Sequence, residues 1–372
     1  MNPRERITAV LHGEIPDSIP ISVYTNLLPR GYAERNLRNL GLALVEIGAS
    51  VYGLTTPNVR VETAQNIACF YMDDRLAAVA KQKQTVERLY RTPTGTLVEK
   101  YKWNYSQLEW PTEWVIKNSS DYEIVKSIVD ETEYFLNDED FQKSQEVMGE
   151  DGIVVLGTPR SPLQTMLLDL MGLQRFAIDC RNNKKQFDDL YETLRKKELE
   201  LYKLVSDSSA DVCIMGENMT GTVTNPILFE NYCMPFYEEI AQILHKKEKV
   251  LGVHFDGKLK CLTKLIGQTD IDVIEAFTPP PVGDLEIDEA MKEWKNKVLW
   301  TSFPASFSMN TELDRVKKET LKILRRASPG DHFAIGITED LGNVKSIRYT
   351  QVLRAITETV LEHGKYPLCS GM

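Results

Sequence analysis

The stretch "VLGVHFDGKLKCLTKLIGQTDIDVIEAF", residues 250–277, contains the pattern from which the fold is predicted. It begins and ends with short apolar runs, at 250–254 and 272–277, whose valines and isoleucines are typical of buried strands. Between these runs, residues 258–267 have a helical pattern. A strand, a helix and a second strand in so short a stretch predict two parallel strands joined by a crossover helix.

The same alternation recurs along the chain. Apolar runs predict further strands at 19–24, 50–54, 152–157, 211–216, 297–302 and 332–337. Helical patterns follow most of them, for example at 32–47, 184–206, 310–326 and 343–363. Eight such repeats predict an α/β fold, a closed (β/α)8 TIM barrel. A doubly wound open sheet is the alternative, but no GxGxxG motif follows the first strand.

Two segments lie outside the repeat. Residues 3–11 predict an N-terminal helical extension. Alternating residues on both sides of Thr92-Pro93-Thr94-Gly95 predict a β-hairpin inserted at about 85–105. Because no long linker or low-complexity tract separates these segments from the rest, we expect a single domain spanning residues 1–372.

Composition excludes several classes of partner. The formal net charge is -10 and no basic cluster is interleaved with aromatic residues, which argues against nucleic acid and against an anionic membrane. No run of 18 apolar residues occurs, and the first residues are polar, so we expect a cytoplasmic protein without a membrane span. The six cysteines form no CxxC pair, which predicts reduced and mostly structural thiols.

Barrel polarity indicates where the chemistry lies, because functional residues of such barrels follow the carboxyl ends of the strands. Of the five histidines, His254 alone falls at such an end. Asp256 lies two residues further, hence on the same side of an extended chain. This pair can hold a divalent metal or act as an acid–base pair. The alternative is that His254 is a hydrogen-bonded core residue and Asp256 caps the next helix.

Other polar residues follow the remaining strands. Glu217 ends an apolar strand, and a buried carboxylate needs a cation or hydrogen-bond donors, so it is either a site residue or a structural partner. Glu339 follows the last strand and is either a site residue or a helix cap. Arg60 is a candidate to bind an anionic substrate, with surface ion pairing as the alternative. Neutral candidates to line a substrate pocket are Tyr24, Asn26 and Asn218.

Five motifs, in order, resemble those of the uroporphyrinogen decarboxylase superfamily and together span nearly the whole chain. The superfamily resemblance implies a (β/α)8 barrel, in agreement with the strand count. The motifs are "NPRERITAVLHGEIPDSIPIS" (2–22), "TPTGTL" (92–97), "SPLQTMLLDLMGLQRFAID" (161–179), "NPILFENYCMPFYEEI" (225–240) and "VHFDGKL" (253–259).

The sequence departs from the pattern of the true decarboxylases in that superfamily. Their Arg-Gln-Ala-Gly-Arg run corresponds to "YTNLLPRGYAER" (24–35), and the loop expected to carry their essential Asp reads "TTPNVRVET" (55–63). The chain is more similar to the branch of methyltransferases that work with corrinoid proteins. Thiol-specific members of that branch bind zinc through a His-x-Cys pair and a second Cys after strand eight. Here the corresponding residues are His254, Asp256 and "AIGITED" (334–340).

The resemblance therefore implies an enzyme that moves a methyl group from a small methylated substrate, such as an aryl methyl ether, to a cobalamin on a partner corrinoid protein. An O-demethylase of this kind would use Zn²⁺ on an oxygen-rich site rather than a thiolate site. The implied metal ligands are His254, Glu217 and Asp256, with Glu339 as a further ligand or acid. The implied substrate-binding residues are Tyr24, Asn26, Arg60 and Asn218.

Docking of the corrinoid protein predicts an exposed, partly apolar rim around the barrel mouth. The residues also allow two alternative functions. A decarboxylase or lyase would use Arg30 or Arg60 to bind substrate carboxylates, and a non-catalytic protein would bind a tetrapyrrole. A homodimer also remains open.

Overall fold

Eight short parallel strands close into a barrel, in the order in which they follow one another along the chain. The prediction of a (β/α)8 TIM barrel is therefore confirmed. The strands are β1 Ile21–Tyr24, β2 Ala43–Gly48, β3 Gly152–Thr158, β4 Val212–Met215, β5 Val250–His254, β6 Val273–Phe277, β7 Val298–Ser302 and β8 Phe333–Ile337.

The computed structural model describes residues 1–55, 58–64, 85–103, 109–307, 311–339 and 341–368. The chain divides into two compact units. The first contains the barrel strands and comprises Met1–Val51, Leu136–Pro159 and Val205–Met372, and the second comprises Tyr52–Phe135 and Arg160–Leu204. That the whole chain is one domain stays a prediction.

Helices follow the barrel strands of the first unit, as the alternating pattern predicts. The helix Pro226–Leu228 continues through a π-helical stretch, Phe229–Cys233, into Met234–His245. The other helices of this unit are Pro3–Leu11, Tyr32–Leu40, Glu139–Met148, Thr263–Gln268, Ile287–Glu293, Leu313–Arg326 and Ile347–His363.

Side chains that point into the barrel form one buried cluster. Alternation along each strand turns every second residue inward, and helices cover the outer face, so most strand positions are buried on both sides. Ile7, Val10 and Leu11 of the N-terminal helix belong to the same cluster, so the predicted helical extension packs on the barrel core. The inward residues of the strands include Tyr24, Val45, Ile153, Val155, Val212, Ile214, Val250, Val273, Val298, Trp300 and Ala334.

The second strand differs from the sequence prediction. We expect a helix through residue 47 and a strand at 50–54, but the helix ends at Leu40 and the barrel strand is Ala43–Gly48. Gly41 ends the helix because its φ of 108° is in the left-handed region that glycine tolerates. Residues 42–45 are buried, as a barrel strand requires. Val51–Thr55 instead pairs with Thr132–Leu136 outside the barrel.

The second unit contains a four-stranded antiparallel sheet made of Arg60–Ala64, Thr85–Thr92, Gly95–Trp103 and Glu109–Glu113. Its central strands form the predicted hairpin, with Thr92 paired to Gly95 across the turn. The last residues of the predicted hairpin range, 104–105, lie outside the described residues. The helices of this part of the chain are Asp121–Glu131, Pro162–Gln164 with its π-helical continuation Thr165–Met171, Gly172–Asn182 and Lys184–Asp207.

Helix length and hydropathy bear on the membrane prediction. In the part of the chain that the structure describes, no helix combines the length and the apolar character that crossing a bilayer requires.

Packing at the barrel centre gives a test of this architecture. A Cβ atom on Gly336 would lie 2.7 Å from Trp300 Nε1 and 2.9 Å from Thr338 Cγ2. We expect Gly336→Ala to lower the free energy of unfolding by about 1–3 kcal/mol, because overpacking displaces neighbours. Urea unfolding measures this change.

Gly267→Ala is the matched control. Its Cβ would meet its nearest atom, Trp294 Cδ1, at 3.4 Å, and its helical position favours alanine over glycine by up to about 1 kcal/mol. Equal stability of Gly336→Ala and the wild type would contradict the packing described for Trp300.

Candidate active site

His254 and Glu275 meet at the carboxyl ends of two neighbouring barrel strands. The parallel register pairs His254 of β5 with Glu275 of β6, and alternation turns both side chains inward. His254 Nδ1 lies 2.5 Å from Glu275 Oε2. Because Glu275 is fully buried, its carboxylate needs hydrogen-bond donors, and the histidine ring supplies one of them.

A bulge in β6 follows directly after Glu275. Ala276 has a φ of 56°, and the register between β6 and β7 shifts between Ile274 and Phe277. A positive φ costs an L-residue other than glycine roughly 1–2 kcal/mol, so the rest of the fold must impose it. The bulge thus interrupts regular pairing with β7 at the position where Glu275 projects into the barrel mouth, and pairing resumes at Phe277.

Tyr24 completes the hydrogen bonding of Glu275. Its hydroxyl donates to Glu275 Oε1 at 2.6 Å, so both oxygens of the carboxylate have partners. Burial first, and then the negative charge of Glu275, raise the pKa of Tyr24 well above its ordinary value. The phenol is therefore a neutral donor that holds Glu275 in place.

The second ring nitrogen of His254 faces two further carboxylates. His254 Nε2 lies 3.7 Å from Asp256 Oδ2 and 3.8 Å from Glu339 Oε1. Among the described residues, His254, Asp256 and Glu339 each offer a ligand atom to one group in which these atoms lie within 4.8 Å of one another. Since Glu275 engages Nδ1, the other nitrogen is the one directed to this group.

The negative charge around His254 raises the pKa of its ring. Burial alone lowers its pKa, but the negative charge of Glu275 and hydrogen bonds to Asp256 and Glu275 outweigh burial and raise the pKa well above the ordinary histidine value. The surrounding carboxylates therefore favour the protonated ring when no metal competes for Nε2.

The donor set fits a divalent metal. Ligand atoms bound 2.0–2.1 Å from a tetrahedral zinc ion are separated by roughly 3.3 Å, a few tenths of an ångström less than the distances from Nε2. His254, Asp256 and Glu339 are 16%, 27% and 37% exposed, so an ion can reach them. One nitrogen and two carboxylate oxygens would leave a coordination position open, as in catalytic zinc sites. Glu275 would orient the ligating histidine from behind.

The structure places the predicted residue Glu217 elsewhere. Its carboxylate is fully buried and accepts a hydrogen bond of 2.5 Å from Tyr237 Oη, on the helix Met234–His245. Burial and the charge of Glu217 raise the pKa of Tyr237 well above its ordinary value. Glu217 is not a member of the group around His254, and its role as a metal ligand stays a prediction.

The remaining predicted residues, Asn218, Asn26 and Arg60, are exposed and lie in three different parts of the chain. The exposed Asn218 donates its backbone N–H to the carbonyl of His254 at 3.0 Å, which links the loops after β4 and β5. Asn26 is exposed in the turn Thr25–Leu27 after β1. Arg60 belongs to the second unit, where it is largely exposed and lies 3.2 Å from Glu62.

Glu275 contacts His254, but the site predicted from the sequence does not include it. The signal was present, because Glu275 is a carboxylate within the apolar run "DVIEAF". Assigning it to the site also requires the register between β5 and β6, which sets it opposite His254.

Comparisons with known proteins support the fold. Among solved structures, the chain is similar to a methyltransferase from Methanosarcina mazei, with a TM-score of 0.56 and 12% sequence identity over 96% of this chain and 98% of that one. At this identity the likeness shows a shared fold alone.

A second similar structure is a Bacteroidetes-affiliated GH5 cellulase linked with a polysaccharide utilization locus. It has a TM-score of 0.38 and 8% identity over 59% of this chain and 74% of its own, which is too weak a likeness to carry an argument. No protein-family model matches the chain, and no curated protein matches it either.

The pKa of His254 tests the site geometry. In metal-free protein, NMR titration should give a pKa above the ordinary histidine value, and Glu275→Gln should lower it by removing the charge on the partner. Since the folded-state pKa is raised, protonation of His254 stabilises the fold at low pH, and this stabilisation is lost as pH rises through the folded-state value.

Asp272→Asn is the control for that titration, because Asp272 precedes β6 at the opposite end of the strand and contacts His245. It should leave the pKa of His254 unchanged. An unshifted His254 in the wild type would contradict the hydrogen bond to Glu275.

Proposed function

We propose that the protein is a zinc-dependent methyltransferase that moves a methyl group from a small methyl ether to the cobalt of a partner corrinoid protein. The observation that carries the proposal is the orientation of His254: Nδ1 is held by Glu275, while Nε2 faces Asp256 and Glu339 at the barrel mouth. This is the face at which barrels of this kind carry their active sites.

His254, Asp256 and Glu339 would hold the proposed Zn²⁺, which would supply a Lewis acid for the ether oxygen. The protein supplies the orientation. Tyr24 and His254 both contact the carboxylate of Glu275, so the ring of His254 has little freedom to rotate. Such outer partners fix the position and the basicity of a ligating histidine.

The group transfer balances as a displacement at the methyl carbon. Cobalt(I) donates the electron pair of the new carbon–cobalt bond, and the carbon–oxygen bond breaks. The leaving oxygen keeps that bond's electron pair and is protonated. With Glu339 as a metal ligand, that proton comes from solvent, which reaches the group at Glu339, the most exposed of the three residues.

Exposed apolar side chains support a docking partner at the same end of the barrel. Tyr32 and Ile347 begin the helices that follow β1 and β8, and Ile47 is exposed near the end of the adjacent β2. Ile227 and Val282 follow β4 and β6 and are also exposed. Apolar side chains exposed on the side where strands end are what docking of a corrinoid protein would use.

The similarity to a methyltransferase from Methanosarcina mazei also favours this activity, although the shared fold does not identify the substrate or the partner. A decarboxylase has less support. Arg30 is exposed and lies 3.8 Å from Glu34, and Arg60 lies 3.2 Å from Glu62. Each guanidinium therefore already has a carboxylate partner within the protein.

Metal binding tests the ligand set. We expect stoichiometric zinc by elemental analysis of the purified protein, loss of zinc in His254→Ala, and weaker binding in Asp256→Asn and Glu339→Gln. Glu275→Gln should weaken zinc binding about 10–100-fold, because it changes the group that orients His254. Competition with a chelator measures the affinity.

His245→Ala is the matched control, because His245 also contacts a carboxylate, Asp272, at 2.8 Å, but does not belong to the group around His254. It should keep its zinc. Full zinc content in His254→Ala would reject the proposed site.

Methyl transfer itself is measured by the absorbance of methylcobalamin formed from cob(I)alamin and a panel of methyl ethers. We expect activity that is abolished in His254→Ala and lowered at least about tenfold in Glu339→Gln, which loses one of the three proposed ligands. Glu362→Gln, a change on an exposed helix position, should be neutral. A wild-type protein that forms no methylcobalamin with any donor, even with a cognate corrinoid protein, would refute the function.

A further inference from the structure

The bulge at Ala276 changes the direction in which the side chains of β6 point. Val273 belongs to the inward cluster, and Glu275 lies two residues further, so both face the barrel interior. Regular alternation would direct Phe277 inward as well. Instead, the ring of Phe277 packs edge-on against Trp294, directly after the helix that follows β6, with the ring centroids 5.9 Å apart. The extra residue at the bulge therefore reverses the alternation.

The pairing of β6 with β7 shows where the extra residue lies. Glu275 and Ala276 lie between two regular pairs of these strands, and a single residue of β7, Trp300, lies opposite both. A regular strand would direct the ring of Phe277 into the barrel mouth, on the same side as Glu275. The bulge thus keeps a carboxylate in the mouth and turns the next large side chain away from it.

Two buried hydroxyl groups hold the backbone of the bulge. Thr278 Oγ1 donates to the carbonyl of Ala276 at 3.0 Å. Thr301 Oγ1, on β7, donates to the carbonyl of Phe277 at 2.9 Å. Thr278 is 4% exposed and Thr301 is 0% exposed, so water does not compete for these hydrogen bonds. The two carbonyls that follow the irregular backbone are therefore fixed by side chains.

The conformation of Ala276 makes such support necessary. Its φ of 56° is unfavourable for alanine, and a residue keeps this conformation only where its surroundings impose it. On the other side of β6, the backbone N–H of Phe255 donates to the carbonyl of Glu275 at 2.9 Å, so β5 holds the residue before the bulge. Toward β7, the two threonine hydroxyls supply hydrogen bonds where the bulge disrupts regular pairing.

We propose that Thr278 and Thr301 are positioning residues that set the direction of Glu275 and, through it, the orientation of His254. They act through the backbone at Ala276 and belong to no part of the proposed ligand set. That this orientation serves zinc binding rests on the proposed function. The link from the two hydroxyls to the hydrogen bond between His254 and Glu275 does not depend on any metal.

The Thr278→Val/Thr301→Val double variant tests the proposal, because valine keeps the shape of threonine and removes the hydroxyl. NMR of isotope-labelled, metal-free protein observes the proton between His254 Nδ1 and Glu275, with His254→Ala to assign the signal. The wild type should show this proton downfield and in slow exchange with water, and the double variant should lose the signal to fast exchange. Zinc affinity, measured by competition with a chelator, should fall about tenfold, as for loss of a group that orients a ligand.

Two controls separate positioning from general stability. Thr278→Ser/Thr301→Ser keeps both hydroxyls and should keep the NMR signal and the zinc affinity. Thr269→Val removes another buried hydroxyl, which donates to the carbonyl of Ile266 at 2.8 Å before the opposite end of β6. It should also leave both readouts unchanged. The single variants Thr278→Val and Thr301→Val should show smaller changes of the same kind, and they replace the double variant if it does not fold.

Each outcome bears on the proposal. A double valine variant with the wild-type signal and zinc affinity would overturn it, and so would an equal loss in Thr269→Val or a wild type without a slowly exchanging Nδ1 proton. A signal lost in the double valine variant and kept in both controls supports it. If the wild type then binds no zinc, the positioning role stands and the proposed metal site is rejected.

Discussion

The hydrogen bond between His254 Nδ1 and Glu275 Oε2 is the interaction on which the site depends. It spans two neighbouring strands, so it forms only when β5 and β6 pair in the observed register. It gives a buried carboxylate a donor, and it directs the other ring nitrogen to Asp256 and Glu339. Tyr24, on β1, holds the same carboxylate, which links a third strand to the arrangement.

Much of the fold could be predicted from sequence because buried parallel strands are continuous apolar runs of characteristic length. Seven of the eight barrel strands lie where such runs predict them. β2 could not be found in this way, because "LALVEIG" (42–48) fits a helical pattern as well as a strand and follows a real helix without a proline. Two features make this segment a strand: Gly41 ends the preceding helix, and β2 is buried on both faces. Burial depends on tertiary structure.

The site could be predicted in part. Barrel polarity identifies His254, Asp256 and Glu339, because each lies at or just after the end of a strand. The same rule also selects Glu217, whose carboxylate turns out to bond Tyr237 of a helix. Sequence position does not tell which way a residue beyond a strand end points. Glu275 lies before the end of its strand, so its contribution needs the pairing of β5 with β6 and the bulge at Ala276.

We propose that the barrel mouth holds a metal through nitrogen and oxygen rather than through thiolate. X-ray absorption spectroscopy of the zinc-loaded protein at the zinc edge distinguishes the two kinds of site. We expect a single shell of nitrogen and oxygen ligands at about 2.0–2.1 Å that includes one imidazole. A sulfur shell at about 2.3 Å, or zinc coordinated without any imidazole, would contradict it.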